Sequence, residues 1–130
     1  MLQLRDTAGL EGYDSLRPLS YHDTDAIMIF ARSGDADCFD NITEKWVPEI
    51  RRYCPGVPYI IVGTEDLACD DGRPEARKSN SANMIESRVD MAHQLGAAKY
   101  VECHLYSTDS VAKAFQEVSR SFNRIIWIQP

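Results

Sequence analysis

Several features that would each indicate a class of protein are missing from this sequence of 130 residues. No apolar run approaches the roughly 18 residues of a membrane-spanning helix, and no signal peptide opens the chain. The four cysteines form no C-x-x-C pair and no zinc-type spacing, which indicates buried or idle thiols in a reducing compartment. A net charge of −6 argues against a nucleic-acid surface and against a polybasic membrane anchor. We therefore expect a cytoplasmic protein that binds neither nucleic acid nor membrane through charge.

What is present fits one globular domain, because the hydrophobic fraction of 44% and the charged fraction of 26% are ordinary values. Four short segments have the patterns of strands. The first alternates apolar and polar residues and the others are nearly continuous apolar runs, which favours strands buried in a parallel sheet. These segments are Leu2–Arg5, Ala26–Ala31, Pro58–Gly63 and Tyr100–Cys103.

Between the strands, apolar residues recur at steps of three and four, the spacing of amphipathic helices. The first helix spans Phe39–Tyr53, with a cap at Asp37, a kink at Pro48, and an inward face of Phe39, Ile42, Trp46, Ile50 and Tyr53. The second spans Met84–Leu95 and stops at Gly96, with an inward face of Ile85, Val89, Ala92 and Leu95. The third, up to Phe122, has Thr108 or Asp109 as its cap. Alternating strands and helices predict right-handed βαβ units around a parallel sheet, an α/β fold.

Two segments lie outside this alternation. Residues 66–83 are polar and rich in Asp, Arg, Ser and Asn, so we expect a surface insertion that is partly helical. Residues 123–130 form an apolar tail, which either adds a strand, covers exposed core, or serves as an interaction patch.

The most informative stretch, residues 6–21, reads D-T-A-G-L-E-G-Y-D-S-L-R-P-L-S-Y. It begins with an acidic residue (Asp6) beside a hydroxyl (Thr7), and Gly9 lets the backbone approach an anion where a Cβ would clash. Such a turn suits a metal–phosphate site, with Asp6 as the candidate metal ligand. The whole run resembles the D-T-A-G-Q-E-x-Y-x-x-L-R-P-L-S-Y segment of Rho-family small GTPases, within the Ras superfamily.

The resemblance continues through F-D-N-I and E-K-W-V-P-E-I (39–50), V-P-Y-I-I-V-G-T (57–64) and K-Y-V-E-C (99–103). It covers most of the chain and implies an incomplete, three-layer P-loop-NTPase-like fold, with a partial GTPase domain at residues 1–122. The insertion at 66–83 then matches, by place and length, the extra helix of Rho proteins.

Family members bind GTP or GDP with magnesium, but several of their binding elements are missing or altered here. The phosphate loop, G-x-x-x-x-G-K-[ST], occurs nowhere in the 130 residues, and neither does the first switch. Asp6, Thr7 and Gly9 match the γ-phosphate and metal motif. Leu10 replaces the glutamine that orients the attacking water, and it cannot form a hydrogen bond to that water. We therefore assign no catalytic residue and expect hydrolysis to be crippled.

The elements that read guanine in the family are degenerate. The [NT]-K-x-D motif is matched by Thr64 and Asp66 only, since the chain is one residue short and acidic at the lysine position. The E-C-S-A loop continues past Cys103 into His104 and Leu105, which are larger than the family's small residues. His104 is better explained as a surface residue than as a ligand or base. We expect no nucleotide cofactor for this chain, and we expect no lipid anchor, because the 130 residues contain no C-a-a-X motif.

Two functions remain open at this point. The first is a Rho-like pseudo-GTPase whose switch-like segment contacts Rho regulators or effectors through Tyr13, Leu16, Arg17 and Leu19. The second is an incomplete product of a genuine GTP-binding switch protein, which an upstream phosphate loop would support.

The resemblance also predicts a gap in the sheet. The family's first strand lies between the strands that match Leu2–Arg5 and Ala26–Ala31, and nothing in this sequence matches it. Two inner edges would then expose unpaired backbone groups. We expect that the strands close up, that a partner fills the gap, or that the domain is barely stable, with self-association through the exposed edges as one consequence.

Overall fold

The computed structural model describes residues 3–65, 76–119 and 124–128. Its strands are β1 (Gln3–Thr7), β2 (Ala26–Arg32), β3 (Tyr59–Glu65), β4 (Lys99–His104) and β5 (Arg124–Ile128). Its α-helices are α1 (Ala36–Asn41), α2 (Val47–Tyr53), α3 (Ala76–Gln94) and α4 (Thr108–Ser119). All strand pairs are parallel, in the order β1-β5-β2-β3-β4. The predicted α/β class, a parallel sheet flanked by helices, is confirmed.

The sheet is the middle of three layers. Ile27 and Ile29 of β2 belong to a core cluster that includes residues of α1, α2 and α3, whereas Ala26 and Met28 belong to a second cluster with α4. From β2 to β4 the chain advances along the sheet, and from β4 to β5 it returns. Because crossovers are right-handed, this reversal places α4 on the opposite face.

The first predicted helix is interrupted. Asp35, not Asp37, caps α1, since its Oδ1 accepts hydrogen bonds from the backbone N of Asp37 at 3.1 Å and of Cys38 at 3.3 Å. The irregularity expected at Pro48 takes the form of a π-helical turn, Ile42–Trp46, directly before α2. Tyr53, expected inward, is exposed at the end of α2.

The second predicted helix, α3, begins eight residues before Met84, so residues 76–83 of the predicted insertion are helical and 66–75 lie outside the described residues. Ile85 and Val89 were expected inward but are exposed, and between residues 82 and 94 of α3 the one buried residue is Ala92. Gly96 ends this region as predicted, with a φ of 77°. No helix in the described ranges is long and apolar enough to cross a membrane.

The third predicted helix, α4, is capped by neither Thr108 nor Asp109. Ser107 takes that place, because its hydroxyl accepts a hydrogen bond from the backbone N of Ser110 at 3.3 Å. Phe122, predicted at the end of this helix, lies outside the described residues.

Residues 124–128 of the apolar tail form β5, an interior strand of the sheet between β1 and β2. β5 pairs with β1 from Gln3↔Arg124 to Thr7↔Ile128, and with β2 from Ala26↔Ile125 to Ile29↔Ile128. Residues 124–128 therefore fill the gap, so β1 and β2 do not close up against each other and no partner strand lies between them. The alternative in which the apolar tail adds a strand is confirmed, and the stability of the domain stays a prediction. The two inner edges are paired, which removes the basis for self-association through them.

Candidate functional site

The residues predicted to contact nucleotide follow the carboxyl ends of three strands. In a parallel sheet these ends share one edge, so Thr7, Thr64 and Cys103 lie along the same side of the molecule. However, β5 and β2 separate β1 from β3, which amounts to roughly 14 Å across three strand spacings. The predicted residues therefore form two separate groups.

The first group lies at the end of β1. Asp6 is exposed, Thr7 is buried and Gly9 is half-buried. The neighbour of Thr7 across the sheet is Ile128, a fully buried apolar residue. The described residues contain no group of three His, Cys, Asp or Glu side chains that could hold a metal ion. Magnesium held beside a phosphate takes one or two carboxylates together with phosphate oxygens and waters, so Asp6 stays a predicted ligand.

The second group lies at the ends of β3 and β4. The Thr64 hydroxyl donates to the backbone oxygen of Ala31 at 3.3 Å, so it is turned into the protein. Cys103 is buried on the α4 side, and this burial raises the pKa of its thiol. His104 and Leu105 are exposed, as the sequence predicts for His104. Asp66, the remaining guanine-motif residue, lies outside the described residues.

Beside this group is a polar cluster that the sequence did not reveal. Glu102 accepts hydrogen bonds from the hydroxyl of Tyr100 and from Oγ of Ser33, the latter at 2.9 Å. Burial, and then the bond to Glu102, raise the pKa of Tyr100. A Cβ at Gly63 would lie 2.8 Å from Oγ of Ser33, so glycine leaves the space that the cluster occupies. Its polar atoms satisfy one another, which indicates a structural role.

Residues 10–21 form two 3-10 turns, Glu11–Tyr13 and Arg17–Tyr21. Backbone hydrogen bonds of 3.0 Å join Tyr13 to Leu10, Leu16 to Tyr13, and Leu19 to Leu16. Residues three apart in such turns are aligned on one side. These four side chains are exposed, by 70% at Leu10, 49% at Tyr13, 56% at Leu16 and 75% at Leu19.

Arg17 differs from the other predicted contact residues, because its side chain is only 1% exposed. Its Nη1 donates to both carboxylate oxygens of Glu49, at 3.1 and 2.8 Å, and Nη2 donates to Oδ1 of Asp14 at 2.6 Å. Its Nε donates to the backbone oxygen of Ala8 at 2.8 Å, and Nη2 reaches that of Leu10 at 3.1 Å. Arg17 therefore holds the segment from inside and is not itself a contact surface.

Two aromatic side chains complete this network. The Arg17 guanidinium lies 4.6 Å from the centre of the Trp46 ring, within cation–π distance. The Tyr21 hydroxyl donates a hydrogen bond to Glu49. The Glu49 carboxylate therefore accepts hydrogen bonds from both Arg17 and Tyr21, the first and last residues of the second 3-10 turn. Burial alone would lower the pKa of Arg17, but its hydrogen bonds to Asp14 and Glu49 outweigh burial and raise it.

The fold and the positions of these motifs define an α/β domain of the small-GTPase type. A model of the Ras family matches residues 1–124, and the chain therefore belongs to the Ras family. Family members bind GTP or GDP with magnesium and interact with regulators and effectors, which makes signalling of this general kind the functional class of the chain.

Proposed function

We propose that this chain is a Rho-type interaction module that does not cycle GTP and that engages Rho regulators or effectors. Its docking surface is formed by Leu10, Tyr13, Leu16 and Leu19. The observation that carries the proposal is the Arg17 network, because it holds the docking surface in place with contacts from the protein alone.

In a cycling GTPase, the γ-phosphate and its magnesium order the switch loops, which relax after hydrolysis. Here the equivalent segment is tied to α2 by a buried bidentate ion pair between Arg17 and Glu49. Its start is tied to the same guanidinium through the backbone oxygens of Ala8 and Leu10. This conformation is held by contacts within the protein, so presentation of the surface does not depend on a bound nucleotide.

The docking surface has the composition of a binding site. Four large apolar side chains are exposed within ten residues, and apolar patches with polar rims are typical of protein-interaction sites. The rim includes Asp14, which pairs with Lys45 at 3.1 Å. Tyr13 adds an aromatic ring, the kind of side chain enriched in binding hot spots.

The nucleotide side of the domain supports the same proposal. The 130 residues contain no G-x-x-x-x-G-K-[ST] motif, and Leu10 stands at the position of the water-orienting glutamine. The strand beside β1 ends in the buried Ile128, and the inward-turned Thr64 is bonded to Ala31. Among the residues that the structure describes, these features argue against a binding site for the phosphates.

The nucleotide part is tested with a fluorescent guanine nucleotide and magnesium, added to the purified chain with and without excess GTP. We expect no saturable binding up to about 100 μM. Competable binding at micromolar concentration or below would refute the proposal and favour a genuine GTP-binding switch protein. A folded sample is confirmed by circular dichroism before each titration.

The docking part is tested by capture of purified Rho regulators on the immobilised chain. Leu19→Glu should weaken capture at least tenfold, because a charge would replace an apolar contact. Leu105→Glu is the matched control, since Leu105 is also exposed but lies at the other end of the sheet. Both variants should unfold within about 0.5 kcal/mol of the parent chain. Equal loss of capture in both, or none in Leu19→Glu, would refute this docking surface.

A further inference from the structure

The first and last elements of the described chain depend on each other. Within the described residues, β1 neighbours only β5, and β5 in turn connects it to β2. Five residue pairs join β1 to β5, and four join β5 to β2. The strand that leads into the docking surface is thus attached to the sheet through the C-terminal strand.

The rest of the sheet is connected differently. β2, β3 and β4 follow one another in space as in sequence, with six residue pairs at each junction. Their side chains pack against helices on both faces. This part of the fold contains most of the buried core and needs no contact with β1.

β1 has little burial of its own to hold it in place. Gln3, Leu4 and Asp6 are exposed, and Thr7 is its one buried residue. In contrast, Ile128 of β5 is fully buried in the main core cluster. Removal of β5 would therefore leave β1 without its ladder of hydrogen bonds and without much apolar contact.

Hydrogen bonds connect β1 and the residue after it to both ends of the segment that carries the docking surface. Arg5 donates from Nη1 to the backbone oxygens of Ser20 at 3.1 Å and of His22 at 2.8 Å, at the far end of the segment. At the near end, the backbone oxygen of Ala8, one residue after β1, accepts from Arg17. Both ends of residues 10–21 are thus tied to β1 or its continuation.

We propose that β5 is a latch that regulates presentation of the docking surface. While β5 is paired, β1 and residues 10–21 are fixed; when it leaves, they loosen together, and β2, β3 and β4 stay folded. The regulatory role of β5 rests on the proposed function. The dependence of β1 and residues 10–21 on β5 does not.

The test is native-state hydrogen exchange on the unmodified chain, followed by mass spectrometry at increasing urea concentration. Amides of β1, β5 and residues 10–21 should exchange as one unit, at least about 100-fold faster than those of β3. If β1 exchanges separately from β5, or if β5 exchanges only together with β3, the latch is refuted. No partner is required, so failure of the docking proposal would not change this readout.

A pair of proline variants sharpens the test. Ile126→Pro removes a backbone donor from the middle of a central strand, which proline does not tolerate. It should bring β1 amides to within about tenfold of unfolded rates, with β3 amides within about tenfold of the parent. Thr108→Pro, at the first residue of α4, is the matched control, because proline suits that position. If the β3 amides of Ile126→Pro also lost their protection from hydrogen exchange, the latch would be refuted, since β2, β3 and β4 would then not stay folded without β5.

Discussion

Replacement of Glu49 by glutamine tests the network that holds the docking surface. Glu49 lies on α2, 32 residues from Arg17, and its side chain is 12% exposed. The change keeps the shape of the side chain and one acceptor oxygen for Tyr21 or Arg17. It removes the negative charge that lies against a guanidinium with almost no contact with water.

The expected cost follows from this burial. Breaking a buried ion pair by neutralising one partner costs about 3–5 kcal/mol, because the other charge stays buried. The lower end applies here, since Arg17 keeps Asp14 and two backbone oxygens. We expect Glu49→Gln to lower the free energy of unfolding by about 3 kcal/mol.

The assay is urea denaturation, monitored by tryptophan fluorescence and by circular dichroism. With a slope of about 1.5 kcal/mol per molar urea, the midpoint should fall by about 2 M. Glu117→Gln is the matched control, because the Lys99–Glu117 pair is exposed and exposed pairs contribute about 0–1 kcal/mol. A loss below about 1 kcal/mol in Glu49→Gln, or equal losses in the two variants, would contradict the argument that the network is a buried clamp.

Three further changes have defined outcomes. Burial, and then its hydrogen bond to a carboxylate, raise the pKa of Tyr21 above its ordinary 10.0. The unfolded chain therefore loses this proton at a lower pH than the folded chain, and the free energy of unfolding falls as the pH rises above about 10. In alkaline urea titrations, Tyr21→Phe should reduce that fall by about 1.4 kcal/mol per pH unit, and an unchanged slope would contradict this reasoning. Gly63→Ala should cost about 1–3 kcal/mol in the same assay at neutral pH, because its Cβ would lie 2.8 Å from Oε1 of Glu102, whereas Gly12→Ala has open space and should be neutral. Leu10→Gln should not restore GTP hydrolysis in a phosphate-release assay, because glutamine alone supplies no phosphate contacts; measurable turnover would count against the proposed function.

The parts of the fold that the sequence predicted well are those that local pattern decides. The apolar runs Ala26–Ala31 and Pro58–Gly63 predicted two strands that are buried by helices, because a strand covered on both faces needs apolar residues at every position. Gly96 predicted the end of α3, since a φ of 77° strains any residue with a Cβ.

The spacing of apolar residues was a less reliable guide to which face of a helix packs against the rest of the protein. Ile85 and Val89 have helical spacing, but spacing defines a face without supplying a partner for it, and both are exposed. The cap of α1 was assigned two residues late for a related reason. Asp35 and Asp37 are both suitable capping residues, and the choice between them depends on where β2 ends.

Among the site residues, Arg17 shows why role is harder to predict than location. The motif assigns Arg17 to the switch-like segment, but the burial of its side chain depends on Glu49 and Trp46, which lie far from it in the sequence. The resemblance to the regulator-binding segment of Rho proteins made it a predicted contact residue. Only the tertiary arrangement shows that it holds the segment from inside.

The position of β5 results from two requirements that the sequence contained separately. The edges of β1 and β2 that face each other carry backbone groups that need partners. A short apolar strand such as residues 124–128 needs two neighbours and cover on its faces, which an outer edge does not offer. The space between β1 and β2 pairs both of their facing edges and gives residues 124–128 a strand on each side. Ile128 is buried as a result. The need of backbone groups for hydrogen-bond partners thus favours an apolar segment of the same chain, here residues 124–128, over a separate partner in the gap between β1 and β2. The same need makes this segment the one on which β1 depends.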